Sequence, residues 1–458
     1  MPNAFAYLVL FSWPLVGFAL FRTLPTHKAI LWTILGGYLL LPERTGIDLP
    51  LLPAFEKTFI PSATALLLCL PKLGSLWELL PRERLPKALT LVFLLGPFAT
   101  VFTNGDAQVF GPTVLPGLRP YDAFAFGLSH AVLLIPLLLA QRFLRTEAQL
   151  RDLLAAMAMA GLAYSALALF EVRMSPQLHT WIYGFFPHSF AQQMRFGGFR
   201  PVVFLNHSLK VGLFLSMAVL AAVAMARGHS GSRRLTWAAG AIWLTMTLTL
   251  AKVVSGWAYV ALLAPILVLG GRRLQRMALL GLGVMILLYP ALRGADLMPT
   301  DRIEAAAAVI SEERAASLRF RLDNEDILLA RANERPFFGW GGWGRNRIYD
   351  PKSGGDVSTT DGAWIIVAGQ YGWVGYIAQY GLFTLPLFLL GLGRPAGFAA
   401  LAMGLVLTAN LLDLLPNSGL TPLTWLIAGG LAGHLATSPA RQSRRHSVPR
   451  LQCRMTAR

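Results

Sequence analysis

Cysteine is nearly missing. The 458-residue chain has two, Cys69 in an apolar run and Cys453 in a basic tail, so neither a disulfide framework nor a cysteine metal site is expected. Charge is scarce as well: 14% of residues are charged against 55% hydrophobic, with a mean hydropathy of +0.53. That balance excludes an ordinary soluble globule and indicates a polytopic membrane protein. Acids are the rarer sign, 23 against 40 basic residues, for a net charge of +17. In a membrane chain this excess is first a topology signal, so no nucleic-acid partner is inferred from it. Long linkers, a second domain and internal repeats are also lacking. Met1-Pro2-Asn3 has no basic n-region, so the first apolar run is expected to be a retained span, not a cleaved signal.

What the chain does have is apolar runs of roughly bilayer length (~17–25 residues). They begin near Ala4, Ala29, Phe59, Lys87, Tyr121, Asp152, Val202, Leu235, Ser255, Met277, Ala363, Gly397 and Thr421. The expected fold is an all-α polytopic membrane protein with about 12–13 transmembrane helices and one large, partly helical extracytoplasmic loop. Four regions follow: a transmembrane bundle of about ten spans over 1–293, a large loop over 294–362, C-terminal spans over 363–437, and a basic tail over 438–458.

Alternate loops differ in charge. Arg22, Lys28, Lys72, Arg82, Arg84, Lys87, Arg142, Arg145, Arg151, Arg227, Arg233, Arg234, Arg272, Arg273 and Arg276 fall on one set. Arg44, Lys57, Arg119, Arg173, Arg195, Arg200 and Lys252 fall on the other. The richer set is expected to be cytoplasmic, together with the tail from Arg441 to Arg458, which then lies against anionic lipid. The large loop is then expected outside, in the periplasm if the cell is Gram-negative, with the protein in the bacterial inner (cytoplasmic) membrane.

The large loop from Gly294 to Gly362 is the one long polar interval. Asp301 to Glu334 reads as helix, with Leu318, Leu322 and Leu329 at near-helical spacing and Arg319, Arg321, Arg331 and Arg335 interleaved among acids. Pro336 stops it, and Gly339, Gly341, Gly342 and Gly344 make a turn. That turn lacks the Gly-Lys-Ser/Thr signature of a nucleotide loop. Asp361-Gly362 closes the interval, directly before the next apolar run. An earlier outer loop near 174–200 holds the stretch from His179 to His188, which is too short and too aromatic to span and reads as interfacial or re-entrant. It ends in Arg195-Phe196-Gly197-Gly198-Phe199-Arg200-Pro201, followed by Asn206-His207. Two arginines around a glycine pair can cradle phosphate or anchor a helix end at the headgroups.

Taken in order, Gly198-Phe199-Arg200-Pro201, Asn206-His207, the Ser255-Gly256 junction, Arg321-Leu322, Arg335-Pro336-Phe337-Phe338-Gly339-Trp340-Gly341 and Thr360-Asp361-Gly362, with Gly372 and Gly375 in the span beyond, resemble the O-antigen ligase and surface-polysaccharide polymerase superfamily. The resemblance covers roughly Arg195 to Phe383. It implies a lipid-donor (GT-C type) glycosyltransferase fold and transfer of a glycan from a polyprenyl pyrophosphate to an acceptor hydroxyl on the outer face of the membrane. The implied partners are that lipid-linked glycan, a glycan or lipid acceptor, and membrane lipids. Arg321 matches the family's loop arginine, with Arg319 its nearest competitor. Asp361 stands where the ligases carry a histidine, a departure that leaves polymerase at least as well supported as ligase. Lys252 stands where many members carry arginine, and Arg195, Arg200 and His207 fall in the donor-binding region.

The chemistry asks for these residue types on its own grounds. Guanidinium forks match phosphate oxygens bidentately, and a carboxylate at a partly desolvated edge can serve as general base. No Asp-x-Asp pair occurs in the early outer loops, so neither an obligatory metal nor a cofactor is expected. Blander readings stand beside each residue. Asp361 could cap the following helix, Arg321 could pair with Glu325 one turn on, Lys252 could snorkel, and His207 could be a satisfied polar residue at a span entrance. The rival class is a transporter or flippase of lipid-linked sugars, which calls for ionisable residues at mid-membrane.

Overall fold

The structure, a computed structural model, describes residues 1–50, 52–195, 197–310 and 312–437. The basic tail and Cys453 lie outside the described residues, and Cys69 is buried. Every one of the thirteen apolar runs carries a helix. In order these are α1 (Ala4–Thr23), α2 (Thr26–Leu40), α3 (Phe59–Cys69), α4 (Arg84–Phe102), α5 (Pro120–Phe143) and α6 (Glu147–Met174). After the short α7 (Leu178–Tyr183) come α8 (Ser208–Arg227), α9 (Gly231–Leu250), α10 (Val254–Val268) and α11 (Arg272–Gly294). The large loop holds α12 (Thr300–Ile310) and α13 (Glu312–Glu334), and α14 (Ala363–Gly391), α15 (Phe398–Asp413) and α16 (Pro422–Thr437) complete the chain. The fold is all-α, and among the described residues seven helices (α1, α4, α5, α6, α8, α11 and α14) are long and apolar enough to cross a membrane. The only described strands pair as three two-stranded hairpins, β1–β2 (Gly46–Ile47, Phe55–Glu56), β3–β4 (Gln108–Phe110, Thr113–Leu115) and β5–β6 (Met194–Arg195, Gly198–Phe199).

At the centre, α8 and α15 are buried on nearly every side, as expected of helices that are apolar all round. Small residues permit the close approach. Gly429 and Gly433, one turn apart on α16, meet the α5 backbone at Leu137 and Gln141, so neither position has room for a Cβ. A Cβ on Gly256 would lie 2.9 Å from the carbonyl oxygen of Gly212, which gives the Ser255-Gly256 junction a packing role where α10 leans on α8.

Loops gather at two ends of the bundle. At one end, Lys57 Nζ donates to the Phe204 carbonyl (2.7 Å), Arg335 Nη1 to that of Thr103 (2.7 Å), and Ala363 N–H to that of Leu414 (3.1 Å). At the other, Arg142 pairs with Glu78 (2.9 Å), His27 with Asp152 (2.9 Å), and Arg394 with Glu83 (2.5 Å). These two ends carry, respectively, the cation-poor and cation-rich loop sets read from the sequence.

Two features of the large loop differ from the sequence expectation or sharpen it. The helix expected from Asp301 to Glu334 is a pair: Arg319 of α13 meets Glu304 of α12. Residues fifteen apart lie about 22 Å apart along one straight helix, so the contact requires α12 and α13 to pack side by side. And α14 is broken at Gly372 (φ 66°, ψ −172°). The break frees backbone groups, and the Arg335–Gly341 segment satisfies them. Trp340 N–H donates to the Gly369 carbonyl (2.8 Å), Gly341 N–H to that of Gln370 (2.8 Å), Trp373 N–H to that of Pro336 (2.7 Å), and Val374 N–H to that of Phe337 (3.2 Å). Irregular backbone beside an apolar span is tolerated when protein covers it in this way. Gly339, at φ 68°, has no room for a side chain, since a Cβ would lie 2.5 Å from backbone atoms of Gln370 and Gly372.

Candidate functional site

A cavity of about 570 Å³ opens at the loop-rich end, between residues 188–195 and 200–210, α13, the 359–361 stretch and the end of α15. Each wall is fixed by identifiable contacts.

The first wall depends on Glu171, fully buried near the end of α6. Its carboxylate accepts the backbone N–H groups of Leu178 (2.9 Å), Val202 (2.7 Å) and Val203 (2.7 Å). Val203 sits at φ 53°, a conformation that a β-branched residue adopts only under constraint. Phe204 N–H donates to the Tyr164 hydroxyl (3.1 Å), and Lys57 holds the Phe204 carbonyl while pairing with Glu43 (3.3 Å). Burial pushes the Lys57 ammonium down to about 8, with Glu43 opposing the shift. This clamp presents Asn206 and His207 to the cavity. His207 Nδ1 accepts the N–H of Leu209 (3.0 Å) and so caps α8, which leaves its proton on Nε2. Burial, then Arg200, His188, Lys210 and Arg321, push His207 down to about 3, so the ring is neutral. On the β5–β6 side, Arg200 donates to the Gln192 carbonyl. Burial and the neighbouring Arg195 bring its guanidinium down to about 10.

The second wall is α13. One turn beyond Arg321, Asn324 Oδ1 accepts the Thr359 N–H (2.8 Å), while Glu325 accepts the Tyr289 hydroxyl (3.0 Å) and the Trp364 indole N–H (3.3 Å). Glu325 also lies 3.6 Å from Arg293. The residue expected to pair with Arg321 is thus engaged elsewhere. Arg321 instead meets Asp361, Nε to Oδ2 3.3 Å, with both side chains about a third exposed. The capping alternative for Asp361 is not what the structure has: the α14 cap is Gly362, without a side-chain cap hydrogen bond. Ala363 N–H is satisfied by the Leu414 and Asn417 carbonyls, and a Cβ on Gly362 would strike the Leu415 carbonyl. The Thr-Asp-Gly order therefore lets the chain pass close under the end of α15. There Asp413, 2% exposed, accepts the Tyr259 hydroxyl (3.0 Å) and the Asn417 amide (3.0 Å).

Of the seven residues singled out in the sequence, five line this one cavity: Arg195, Arg200, His207, Arg321 and Asp361. Arg319 does not; it is exposed and engaged with Glu304. Lys252 does not either. It occupies the tight joint between α9 and α10 at φ 56°, with its ammonium packed against Gly198, so it supports the hairpin that carries Arg195 and Arg200. The Arg335–Gly341 motif is likewise a joint: Trp340 is sandwiched by Arg331 and Arg335, 3.4 and 4.3 Å from the ring centre. Sequence reading did not assign Lys210, His188, Asn206 and Asp413, all of which line the cavity. A signal existed for two of them: Asp413 is the only acid in its apolar run, and Lys210 lies three residues after His207.

Arg195, Arg200, Lys210 and Arg321 set four cations against Asp361 and Asp413 on the lining, so the cavity favours an anion. Arg200 Nε, Asn206 Oδ1 and His188 Nδ1 are buried without a hydrogen-bond partner among the described residues; a phosphate oxygen would accept from the guanidinium N–H, and a sugar hydroxyl would donate to the amide oxygen. No trio of His, Cys, Asp or Glu is grouped for metal binding among the described residues. Compared with protein-family models, curated proteins and solved structures, the chain has no match.

Proposed function

We propose that this protein transfers a glycan from a polyprenyl-pyrophosphate donor to an acceptor hydroxyl at the outer face of a bacterial inner membrane, as a surface-polysaccharide polymerase or O-antigen ligase. The observation that carries this reading is the Arg321–Asp361 pair at 3.3 Å in a cavity otherwise dominated by Arg195, Arg200 and Lys210. The resemblance of the motifs to ligases and polymerases supports it, as does the segregation of the loop sets to opposite ends of the bundle.

In this mechanism Arg195, Arg200 and Lys210 hold the pyrophosphate, and neutral His207 offers it the Nε2 proton. The acceptor oxygen attacks the anomeric carbon and gives its proton to the Asp361 carboxylate. The bond from that carbon to the pyrophosphate oxygen breaks, and the electron pair leaves with the lipid-linked pyrophosphate. Arg321 stabilises the charge that develops on it. A donor of this kind, already organised before the reaction, is worth on the order of 10²–10³ in rate.

Arg321→Lys keeps the charge and loses the fork. Transfer in cells lacking the wild-type copy is expected to fall about 10²-fold or more, while protein still accumulates in the membrane. Wild-type transfer by this variant removes the arginine from the mechanism and the proposal with it.

A further inference from the structure

At the same end of the bundle lies a second cavity, of about 450 Å³, between residues 48–50 and 52–54, the start of α5 and the glycine-rich turn of the large loop. Its chemistry is the opposite of the first. Among its described lining residues there is no cation; it has instead Asp48, Tyr121, Asp122, Phe126, Ser129 and Trp343. Trp343 is the unusual member. It is 68% exposed and held at φ 58°, a conformation bulky residues rarely adopt and one that persists only when the surroundings impose it. Those surroundings are visible. Gly342 packs so closely on Phe126 that a Cβ would lie 2.9 Å from that ring, whose centre is 5.8 Å from the Trp343 ring. The indole N–H donates to Asp122 Oδ1 (3.3 Å), while Asp122 Oδ2 accepts the Arg119 N–H (2.8 Å). Asp122 thus ties the indole to the first turn of α5.

We infer that this cavity binds a neutral pyranose ring of the glycan, stacked on Trp343, with Asp48, Tyr121 and Ser129 pairing with its hydroxyls. A sugar ring offers an apolar C–H face and a rim of hydroxyls, and an exposed indole beside a carboxylate matches both. The acidic lining disfavours phosphate, which the cationic cavity takes. A membrane-anchoring tryptophan would need neither the constrained backbone nor Asp48. This inference rests on the glycan-transfer reading and names where that substrate's sugar chain lies.

The test uses the full-length protein in nanodiscs and two probes. Saturation-transfer NMR with neutral hexopyranosides (gluco, galacto, manno and N-acetylglucosamine disaccharides) reads the second cavity, and inorganic pyrophosphate, titrated calorimetrically, reads the first. At least one disaccharide is expected to bind the wild type. Trp343→Ala should weaken it about tenfold or more, with partial rescue by Trp343→Phe. Asp48→Asn should weaken it as well, and pyrophosphate binding should stay unchanged in all three. Absence of a signal from every disaccharide, or a signal indifferent to Trp343→Ala, overturns the subsite. So does an effect of Trp343→Ala on co-purified phospholipid alone, which would make the cavity an acyl-chain groove. Loss of pyrophosphate binding in the wild type would instead strike the function proposal.

Discussion

The two cavities at the loop-rich end differ in what holds their walls. In the cationic one, residues more than two hundred positions apart converge: Arg195 and Arg200 from the β5–β6 hairpin, Arg321 from α13, Asp361 before α14 and Asp413 at the end of α15. Like charges cannot be gathered cheaply. Here the four cations are spread over three elements, the β5–β6 hairpin, α8 and α13, held in place by buried hydrogen bonds, those of Glu171 on one side and Glu325 on the other. In the aromatic cavity one turn of the loop contributes the key ring, and one carboxylate, Asp122, orients it. A site for an anion requires distant charges to be brought together, whereas a site for a neutral ring needs one well-placed aromatic face.

The Arg335–Gly341 segment links the two regions along the chain, running from the end of α13 toward Trp343, and it is seated on the break in α14. The largest expected effect comes from removing this joint. Gly339→Ala adds a Cβ to a left-handed residue pressed against the Gln370 backbone. A loss on the order of 3 kcal/mol is expected, enough to deplete folded protein. Thermal unfolding in detergent, followed by both probes, should show the two cavities failing together. If one probe survives without the other, the joint does not support both cavities.

Asp361→Asn separates the cavities. It leaves an oxygen near Arg321 but no proton acceptor, so transfer should fall about 10²-fold or more at equal protein level. Disaccharide binding at Trp343 should be untouched. Asp361→His should recover part of the transfer by restoring a titratable nitrogen. Full transfer by the Asn variant would remove Asp361 as base and leave the pair with Arg321 a structural contact.

Much of this contrast was legible in the sequence. Thirteen apolar runs predicted thirteen helices because period and hydropathy are local properties. Arg195 and Arg200 stand within one short motif, and Asp361 beside a span start, so their shared location was readable as well. Asp413 and Lys210 were not assigned, because nothing local says that the end of α15 passes under the Thr-Asp-Gly turn. That contact depends on Gly362 having no side chain. Trp343 lay inside a run read only as a turn, since exposure and a left-handed backbone are properties of the fold. The same holds for Arg335–Gly341, whose aromatic and glycine pattern fits the α14 break, with Trp340 between two guanidinium groups. The doubling back between α12 and α13 was hidden too, because each half has ordinary helical spacing.

Protonation gives a smaller and more specific distinction. His207 is held neutral with its pKa pushed down to about 3, by burial and by Arg200, His188, Lys210 and Arg321. The unfolded chain takes up that proton near 6.5 and the folded one does not until far lower pH. The stabilisation is therefore complete above pH 6.5 and is lost as pH falls toward 3. His207→Asn retains an oxygen able to cap α8 and removes this titration. Between pH 7.5 and 5 the wild type should lose about 2 kcal/mol more stability than the variant. Equal losses in the two proteins would show that His207 is not held neutral in the fold.

The smallest effect is expected at Arg319, and it is the control for the whole contrast. Arg319 and Arg321 share a helix, a charge and a stretch of sequence, and on sequence alone they compete for one role. Two positions along a helix turn a side chain by about 200°, so the two guanidinium groups cannot face the same cavity. Arg321 reaches Asp361, whereas Arg319 is largely solvent-exposed beside Glu304. An exposed pair of this kind contributes about 0–1 kcal/mol. Arg319→Lys should therefore leave transfer within about twofold of wild type and both probes bound as before. Fusing the comparison to Arg321→Lys in the same cells makes it decisive. If the two variants lose transfer equally, orientation on α13 does not matter, and the cavity is not where the pyrophosphate sits.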